Sequence, residues 1–210
     1  MPGWILASGG NEFSDIYAQA DLAALDKRKD NSSPLLVVVT APFPTQLQAY
    51  QVAKKYFSKL GVKTVMSPIF SEQDLTEENI TQIAKSQAIY FAGGTPARLT
   101  KAFVGTLAET AIRSALENDS VLMGSSAGAM LFGTKVVMPG GNEIGNGLNL
   151  LENQIVLPHF SGAWPGWVKT SPLQDIQFLG LAEGASVLTP VTYSSKPVEF
   201  GDVSRFETNI

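Results

Sequence analysis

Residues 120–132 read Ser-Val-Leu-Met-Gly-Ser-Ser-Ala-Gly-Ala-Met-Leu-Phe. The apolar residues at the beginning of this stretch predict a buried β-strand over 120–124, and those at its end predict the start of a helix. Between them, residues 124–128 follow the pattern Gly-x-Ser-x-Gly, in which small residues allow a tight turn from a strand into a helix. A buried strand that leads directly into a helix is typical of a parallel sheet covered by helices.

The first two thirds of the chain repeat this alternation of strand and helix. Further strands are predicted at residues 3–7, 35–40, 63–66 and 88–92, and shorter ones at 154–156, 186–188 and 197–200. Apolar residues at steps of three and four predict a helix over 46–60. Thr76 and Pro96 are predicted to begin two more helices, and Ser14 to cap one over 15–28. We therefore predict an α/β fold with a mostly parallel sheet.

Length and composition limit the classes of protein and partner. A chain of 210 residues with 44% hydrophobic side chains predicts a single domain over 1–210. A net charge of −4 without a long basic run disfavours nucleic acid and membranes as partners, so a small molecule or short peptide is expected. The absence of cysteine excludes disulfides, thiolate metal sites and cysteine nucleophiles. The N-terminus lacks the pattern of a signal peptide, which predicts a cytoplasmic protein.

Ser126, at the centre of the glycine-flanked turn, is the candidate nucleophile. A serine hydroxyl reacts efficiently only when a neighbouring base accepts its proton, and histidine is the usual base because it titrates near neutrality. The chain contains one histidine, His159, which lies 33 residues after Ser126 at the end of an apolar run. The pair predicts acyl transfer, with Ser126 as nucleophile and His159 as base.

A second glycine turn, Gly93-Gly94, follows the strand predicted at 88–92 and precedes the helix that begins at Pro96. Because neighbouring parallel strands end at the same edge of a sheet, backbone N–H groups at this turn and at Ala127 are expected to bind one carbonyl oxygen. The turn lacks the glycine patterns of dinucleotide and phosphate-binding loops, which disfavours a nucleotide site. We expect neither a metal nor another cofactor.

Two other enzyme classes use a comparable turn. An α/β-hydrolase needs further strand–helix units and an acid between its serine and its histidine, and 33 residues leave too little chain for them. Class I glutamine amidotransferases need a cysteine nucleophile, which this chain does not have. The spacing and the composition therefore disfavour both classes.

Taken together, the motifs resemble the serine peptidase family of dipeptidase E (aspartyl dipeptidase) and cyanophycinase. The residues that carry the resemblance are Tyr90-Phe91-Ala92-Gly93-Gly94, Gly124-Ser125-Ser126-Ala127-Gly128-Ala129, Leu148-Asn149-Leu150-Leu151, Pro158-His159-Phe160 and Leu179-Gly180-Leu181-Ala182-Glu183-Gly184. The last of these looks like the late Gly-Ile-Asp-Glu segment of the family. The resemblance implies a three-layer domain with a flavodoxin-like or class I glutamine amidotransferase-like sheet. It also implies a metal-free serine exopeptidase that cleaves after an aspartyl residue.

The resemblance also implies roles for individual residues. Ser126 would attack, His159 would transfer the proton, and the N–H groups of Gly94 and Ala127 would bind the oxyanion. Family members place an Asp or Glu between the serine and the histidine, and this interval contains only Glu143 and Glu152. We favour Glu143, in a glycine-rich loop, as the carboxylate that orients the histidine. Glu152, beside Asn153, is expected to face solvent.

The region after His159 departs from the family pattern. Relatives often carry arginines there that bind a substrate carboxylate, whereas Lys169 is the only basic residue in 160–195. Thr95, Lys169 and Trp164 are the residues expected to contact substrate. Trp164, Pro165, Gly166 and Trp167 are expected to form an apolar or aromatic wall near the site. Cyanophycinase-type sequences prefer Gln at the position of Pro96, which disfavours cyanophycin as substrate.

Two alternative functions stay open at this point. One is a family member that has lost catalysis and binds a small ligand in the same pocket. The other is an esterase of the α/β-hydrolase type with a distal acid such as Asp175 or Asp202. A monomer or a homodimer is expected, because no repeat or heptad indicates a larger assembly.

Overall fold

The computed structural model describes residues 3–139, 143–192 and 195–208. Its strands are β1 (Trp4–Ser8), β2 (Leu35–Val38), β3 (Thr64–Met66), β4 (Ala88–Phe91), β5 (Val121–Ser125), β6 (Lys135–Val137), β7 (Ile144–Asn146), β8 (Gln154–Pro158), β9 (Gln177–Leu181), β10 (Ser186–Pro190), β11 (Val198–Phe200) and β12 (Val203–Glu207). Its α-helices are α1 (Ala18–Leu25), α2 (Thr45–Lys59), α3 (Glu77–Lys85), α4 (Pro96–Phe103), α5 (Leu107–Glu117), α6 (Ala127–Met130) and α7 (Gly166–Lys169). Short 3₁₀ helices lie at Asp15–Tyr17 and Glu72–Asp74.

The central sheet has seven strands in the order β11-β10-β1-β5-β4-β2-β3. The neighbours from β1 to β3 in this order pair in parallel. Strands β10 and β11 add two antiparallel pairings at the other edge. The five parallel strands are those predicted from the first two thirds of the chain, so the α/β fold with a mostly parallel sheet is confirmed.

Helices cover both faces of this sheet because successive strand residues point to opposite sides. Phe91 of β4 packs on one side, with its ring 5.2 Å from that of Phe103 in α4. Tyr90, the preceding residue, packs on the other side, with its ring 5.5 Å from that of Phe57 in α2. Helices α1 and α2 cover the face of Tyr90, while α3 to α6 cover the face of Phe91. The resulting three layers are those that the resemblance implies.

Three helix starts were predicted, and two of them are confirmed. The Thr76 hydroxyl accepts a hydrogen bond from the Asn79 N–H at 3.3 Å, which caps α3. Pro96 is the first residue of α4. The prediction for Ser14 holds only in part: Ser14 is the N-cap residue of the 3₁₀ helix at Asp15–Tyr17, but its hydroxyl donates to the Asn11 carbonyl at 2.9 Å and makes no capping bond. The chain instead forms a 3₁₀ turn before α1, which ends at Leu25.

The last third of the chain builds two smaller sheets. Strands β8 and β9 pair in parallel, and β12 pairs antiparallel with β9. Strands β6 and β7 form an antiparallel hairpin. The starts of β8, β10 and β11 were predicted within two residues, whereas β6, β7, β9 and β12 were not predicted. Within the described ranges, no helix is long and apolar enough to cross a membrane.

Candidate active site

Ser126 lies in the turn between β5 and α6 with a left-handed backbone, at φ 51° and ψ −118°. Its N–H donates to the Ser8 carbonyl at 3.1 Å, which ties the turn to the end of β1. The helix approaches the sheet so closely that a Cβ at Gly128 would lie 2.0 Å from the Phe91 carbonyl oxygen. Packing therefore requires a glycine at position 128. The strained turn projects the Ser126 side chain away from the sheet.

His159 follows β8 directly and meets this serine. Its Nε2 lies 3.0 Å from the Ser126 Oγ, within hydrogen-bond distance. The His159 N–H donates to the Gly9 carbonyl at 2.7 Å. Its ring packs against the Cα of Gly10, where a Cβ would lie 2.1 Å from the ring carbon Cε1. The end of β1 thus positions both the serine backbone and the histidine ring.

Glu183 contacts the other nitrogen of the same imidazole. Its Oε1 lies 3.2 Å from the His159 Nδ1, and the two side chains are 56% and 49% exposed. The parallel register of β8 and β9 pairs Pro158 with Leu181. Because both strands end at the same edge of their sheet, the residues that follow them lie side by side. A continuous hydrogen-bond chain therefore runs from the serine through the histidine to a carboxylate.

Glu143, the predicted orienting carboxylate, does not occupy this position. It precedes β7, its carbonyl accepts from the Met138 N–H at 2.9 Å, and its side chain is exposed. Its backbone thus closes the β6–β7 hairpin, and in the part of the chain that the structure describes it makes no hydrogen bond with His159. Glu152 lies in the turn before β8, at the opposite end of that strand from the histidine. The carboxylate on the imidazole comes instead from beyond β9.

The glycine turn after β4 presents one of its two N–H groups to the site. The Gly93 N–H donates to Oε1 of Glu12 at 2.7 Å, and Oε2 of Glu12 accepts from the Ser125 hydroxyl at 3.2 Å. The Gly93 N–H is therefore already hydrogen-bonded within the protein. The N–H groups of Gly94 and Ala127 donate to no acceptor within the described ranges, and both residues line the same cleft as Ser126. This leaves two free donors beside the serine hydroxyl.

The cleft beside Ser126 has a volume of about 490 Å³. Apart from the site residues and the exposed Ser161, its walls are apolar, and they include Met130, Val137, Leu157 and Trp167. His159 is the only titratable side chain among the lining residues that the structure describes. The cleft is therefore an apolar pocket with the hydrogen-bonding groups at one side.

The three residues predicted to contact substrate lie outside this lining. Thr95 is exposed between Gly94 and α4, and Lys169 is exposed at the end of α7. Trp164 packs behind the wall, with its ring 4.4 Å from that of Phe160. The apolar wall that the sequence predicted exists, but Trp167 contributes the tryptophan, because α7 turns that residue towards the cleft.

Sequence reasoning missed Tyr17, which connects the loops on both sides of His159. Its buried hydroxyl donates to the Gly10 carbonyl and accepts from the Gly184 N–H at 2.7 Å. Burial, the largest cause, raises the pKa of Tyr17 above its usual value, so the hydroxyl keeps its proton at neutral pH. No local motif could have identified it, since its two partners lie 7 and 167 residues away.

Among the described residues, no group of three or more His, Asp or Glu side chains is arranged to hold a metal ion. A second cavity, of about 510 Å³, lies at the amino ends of β8 and β9 and is lined by Glu152 and Asp175. It is at the opposite end of β8 from His159. The second cavity therefore lies apart from Ser126, His159 and Glu183.

Comparisons with known proteins identify the family and the fold. The model of peptidase family S51 matches residues 5–186. The solved structure of a peptidase from an acI-B1 actinobacterium is similar, with a TM-score of 0.77 at 19% identity over 98% of both chains. A putative peptidase E from Listeria monocytogenes EGD-e has a TM-score of 0.62 at 14% identity, over 99% of this chain and 100% of that one. Both likenesses concern the fold. No curated protein matches the chain.

Proposed function

This chain belongs to peptidase family S51 and is a serine-type peptidase, and we propose that Ser126, His159 and Glu183 form its catalytic triad. The observation that carries the proposal is the hydrogen-bond chain through the imidazole, at 3.0 Å to the serine and 3.2 Å to the glutamate. Nucleophile, base and orienting acid in this order are the arrangement that acyl transfer requires.

In the first half of the reaction, the Ser126 hydroxyl attacks the scissile carbonyl carbon. His159 accepts the hydroxyl proton at Nε2, while Glu183 accepts a hydrogen bond from Nδ1–H and stabilises the resulting imidazolium. The N–H groups of Gly94 and Ala127 bind the oxyanion of the tetrahedral intermediate. The imidazolium then returns its proton to the leaving amine as the carbon–nitrogen bond breaks.

In the second half, water hydrolyses the acyl-enzyme. His159 removes a proton from the water, the hydroxide adds to the ester carbon, and the same two N–H groups bind the second oxyanion. Collapse of this intermediate releases the acid and restores the serine hydroxyl.

Short peptides are the substrates that best suit the cleft. Its volume of about 490 Å³ is that of a small-molecule site. The two carboxylates that hydrogen-bond to the site, Glu12 and Glu183, attract the free ammonium group of a short peptide. We therefore propose an exopeptidase, as the family resemblance implies.

The aspartyl preference that the resemblance also implies has no such support. A substrate carboxylate needs a cation beside the scissile bond, and neither lysine nor arginine occurs among the described lining residues of the cleft. We do not extend the proposal to a preference for aspartyl dipeptides.

The test is covalent labelling with a fluorophosphonate, together with hydrolysis of a dipeptide panel. We expect the wild type to be labelled and to cleave dipeptides. We expect Ser126→Ala to do neither, and His159→Ala to lose at least about 10³-fold in kcat/KM. A protein that takes no label and cleaves nothing would instead be the ligand-binding family member considered above. Turnover of nitrophenyl esters without any peptide cleavage would favour the esterase.

A further inference from the structure

We propose that the cleft beside Ser126 is a pocket for an uncharged, apolar side chain on the residue that supplies the scissile carbonyl. The inference rests on the proposed serine peptidase function and adds a substrate class to it. The expected substrates are short peptides whose amino-terminal residue is Leu, Met or Phe.

Away from Ser126, His159 and the exposed Ser161, the walls of the pocket that the structure describes are apolar. Its apolar side chains include those of Met130, Val137, Met138, Leu157, Phe160 and Trp167. Burial of an apolar side chain against such walls is favourable by about 25 cal/mol per Å² of surface removed from water. A carboxylate or ammonium group would lose its hydration there without gaining a partner.

The pocket is also rigid, because its aromatic walls are packed from behind. The Trp167 ring lies 5.8 Å from that of Phe178, and Phe160 packs against Trp164. Val137 is 6% exposed and Met130 8% exposed. A preformed apolar pocket selects a side chain by its size and polarity without first having to order its own walls.

The charges around the pocket disfavour an acidic substrate in particular. Every Lys, Arg, Asp and Glu of the sequence falls within the described ranges, so the charged side chains of this chain are fully accounted for. Those that hydrogen-bond to the site residues are the carboxylates of Glu12 and Glu183. An aspartyl side chain in the pocket would therefore have no cation to pair with, and the charges that hydrogen-bond to the site residues carry its own sign.

The position of the nucleophile assigns the pocket to the acyl side of the scissile bond. Gly94, Ser126 and Ala127 all line it, and these residues carry the attacking oxygen and the two oxyanion donors. The carbonyl carbon of the substrate must lie among these three groups. A side chain on the residue that supplies this carbonyl is therefore within reach of the apolar walls, and the X-Leu series below tests whether the pocket binds it.

The experiment measures kcat/KM for dipeptides X-Leu, with X as Leu, Met, Phe, Asp or Lys, so that the leaving residue is constant. We expect the three apolar substrates to exceed Asp-Leu by about tenfold or more. Fluorophosphonate labelling of the same preparation reports the nucleophile independently of specificity.

A matched pair of variants tests whether the missing cation is the cause. Ala163 is exposed and lines the cleft, so a longer side chain at this position can reach the cleft without disturbing the core. We expect Ala163→Arg to raise kcat/KM for Asp-Leu by about tenfold relative to Ala163→Gln, which adds similar length without charge. The quantity compared is the ratio of kcat/KM for Asp-Leu to kcat/KM for Leu-Leu in each variant.

The outcomes separate the two proposals. Higher kcat/KM for the apolar dipeptides than for Asp-Leu supports the pocket assignment. Equal or preferred cleavage of Asp-Leu overturns that assignment and leaves the triad in place, as does labelling of Ser126 without cleavage of any apolar dipeptide. Absence of both labelling and cleavage overturns the proposed function itself, and the pocket assignment with it.

Discussion

The imidazole of His159 is contacted at both nitrogens, and its ring packs against the backbone of Gly10. Ser126 and Glu183 contact the two nitrogens, and Gly10 leaves room for the ring because it has no Cβ. Each of these three contacts comes from a different strand end. The position of the His159 imidazole therefore depends on single residues that are far apart in the sequence.

The glutamate on this imidazole can be tested against the one that the sequence favoured. We expect Glu183→Gln to lower kcat/KM by about 10²- to 10⁴-fold, because an amide cannot stabilise the imidazolium by charge and can favour the wrong tautomer. Glu143→Gln is the matched control and should leave kcat/KM within about twofold, since its side chain is exposed on the β6–β7 hairpin. Steady-state kinetics on the best dipeptide measure both. Loss of activity in Glu143→Gln alone would contradict the assignment.

The Tyr17 hydroxyl hydrogen-bonds to the backbone on both sides of the proposed triad. We expect Tyr17→Phe to lower kcat by about tenfold with KM changed by less than about twofold, because the Gly10 loop and the Glu183–Gly184 turn lose their shared hydroxyl while the substrate pocket is unchanged. The readout is the separation of kcat from KM.

Tyr50→Phe is the control for this change. The Tyr50 hydroxyl donates to the Thr64 carbonyl at 3.1 Å, and neither residue lines the cleft. The same atom is thus removed from a site without contact to the triad, and kcat should be unaffected. An equal loss of kcat in both variants would mean that Tyr17 contributes only to general stability.

At the scale of elements, the β5–α6 turn shows how closely helix and sheet approach. A Cβ at Gly128 would lie 2.0 Å from the backbone carbonyl oxygen of Phe91, which cannot move without displacing β4. We expect Gly128→Ala to lower the free energy of unfolding by about 1–3 kcal/mol or more. Urea unfolding measures the loss.

Gly166→Ala serves as the control for this substitution. Gly166 begins α7, and a Cβ there would have no neighbour within 4 Å. Its free energy of unfolding should stay within about 0.5 kcal/mol of the wild type or rise slightly. If the two alanine variants were equally stable, close approach would not be the reason for glycine in the turn.

The pairing of β8 with β9 is the element that completes the site. Neither strand's sequence indicates its partner, since β9 has only five residues and a continuous apolar pattern. The motif that contains Glu183 could be recognised from its resemblance to the family. Its position beside His159 follows from the parallel register of the two strands.

For the molecule as a whole, a buried carboxyl group makes stability depend on pH. Asp21 of α1 is 1% exposed and accepts a hydrogen bond from the Tyr56 hydroxyl of α2 at 2.7 Å. Burial raises the pKa of Asp21 from 3.8 to about 7. Between these values the folded state binds more protons than the unfolded state, so the stability contributed by the neutral carboxyl declines as pH rises from about 4 to 7.

We therefore expect Asp21→Asn to stabilise the protein more at pH 8 than at pH 5, because the amide keeps an acceptor for Tyr56 and cannot ionise. The gain is at most about 4 kcal/mol, which corresponds to the full shift of the pKa. Urea unfolding of wild type and variant at the two pH values measures it. Asp175→Asn, at an exposed position, should produce no such difference. A gain that is equal at both pH values would contradict a raised pKa.

The sequence by itself determined the class of fold, and it singled out the serine and the histidine that the structure brings together. Buried parallel strands are continuous apolar runs, and a glycine-flanked serine after such a run has few structural uses, so both signals are local. Their order along the chain was enough to recognise the family. The same local signals predicted the glycine turn with Gly94 and an apolar wall near the site.

Only the tertiary structure decided which carboxylate contacts the histidine and which side chains line the pocket. Sequence spacing pointed to Glu143, but the pairing of β8 with β9 brings Glu183 to the imidazole across 24 residues. The packing of Trp164 behind Phe160 likewise left Trp167 to face the cleft. Contacts of this kind depend on strand register and side-chain packing, which are properties of distant segments together and leave no local pattern in either one.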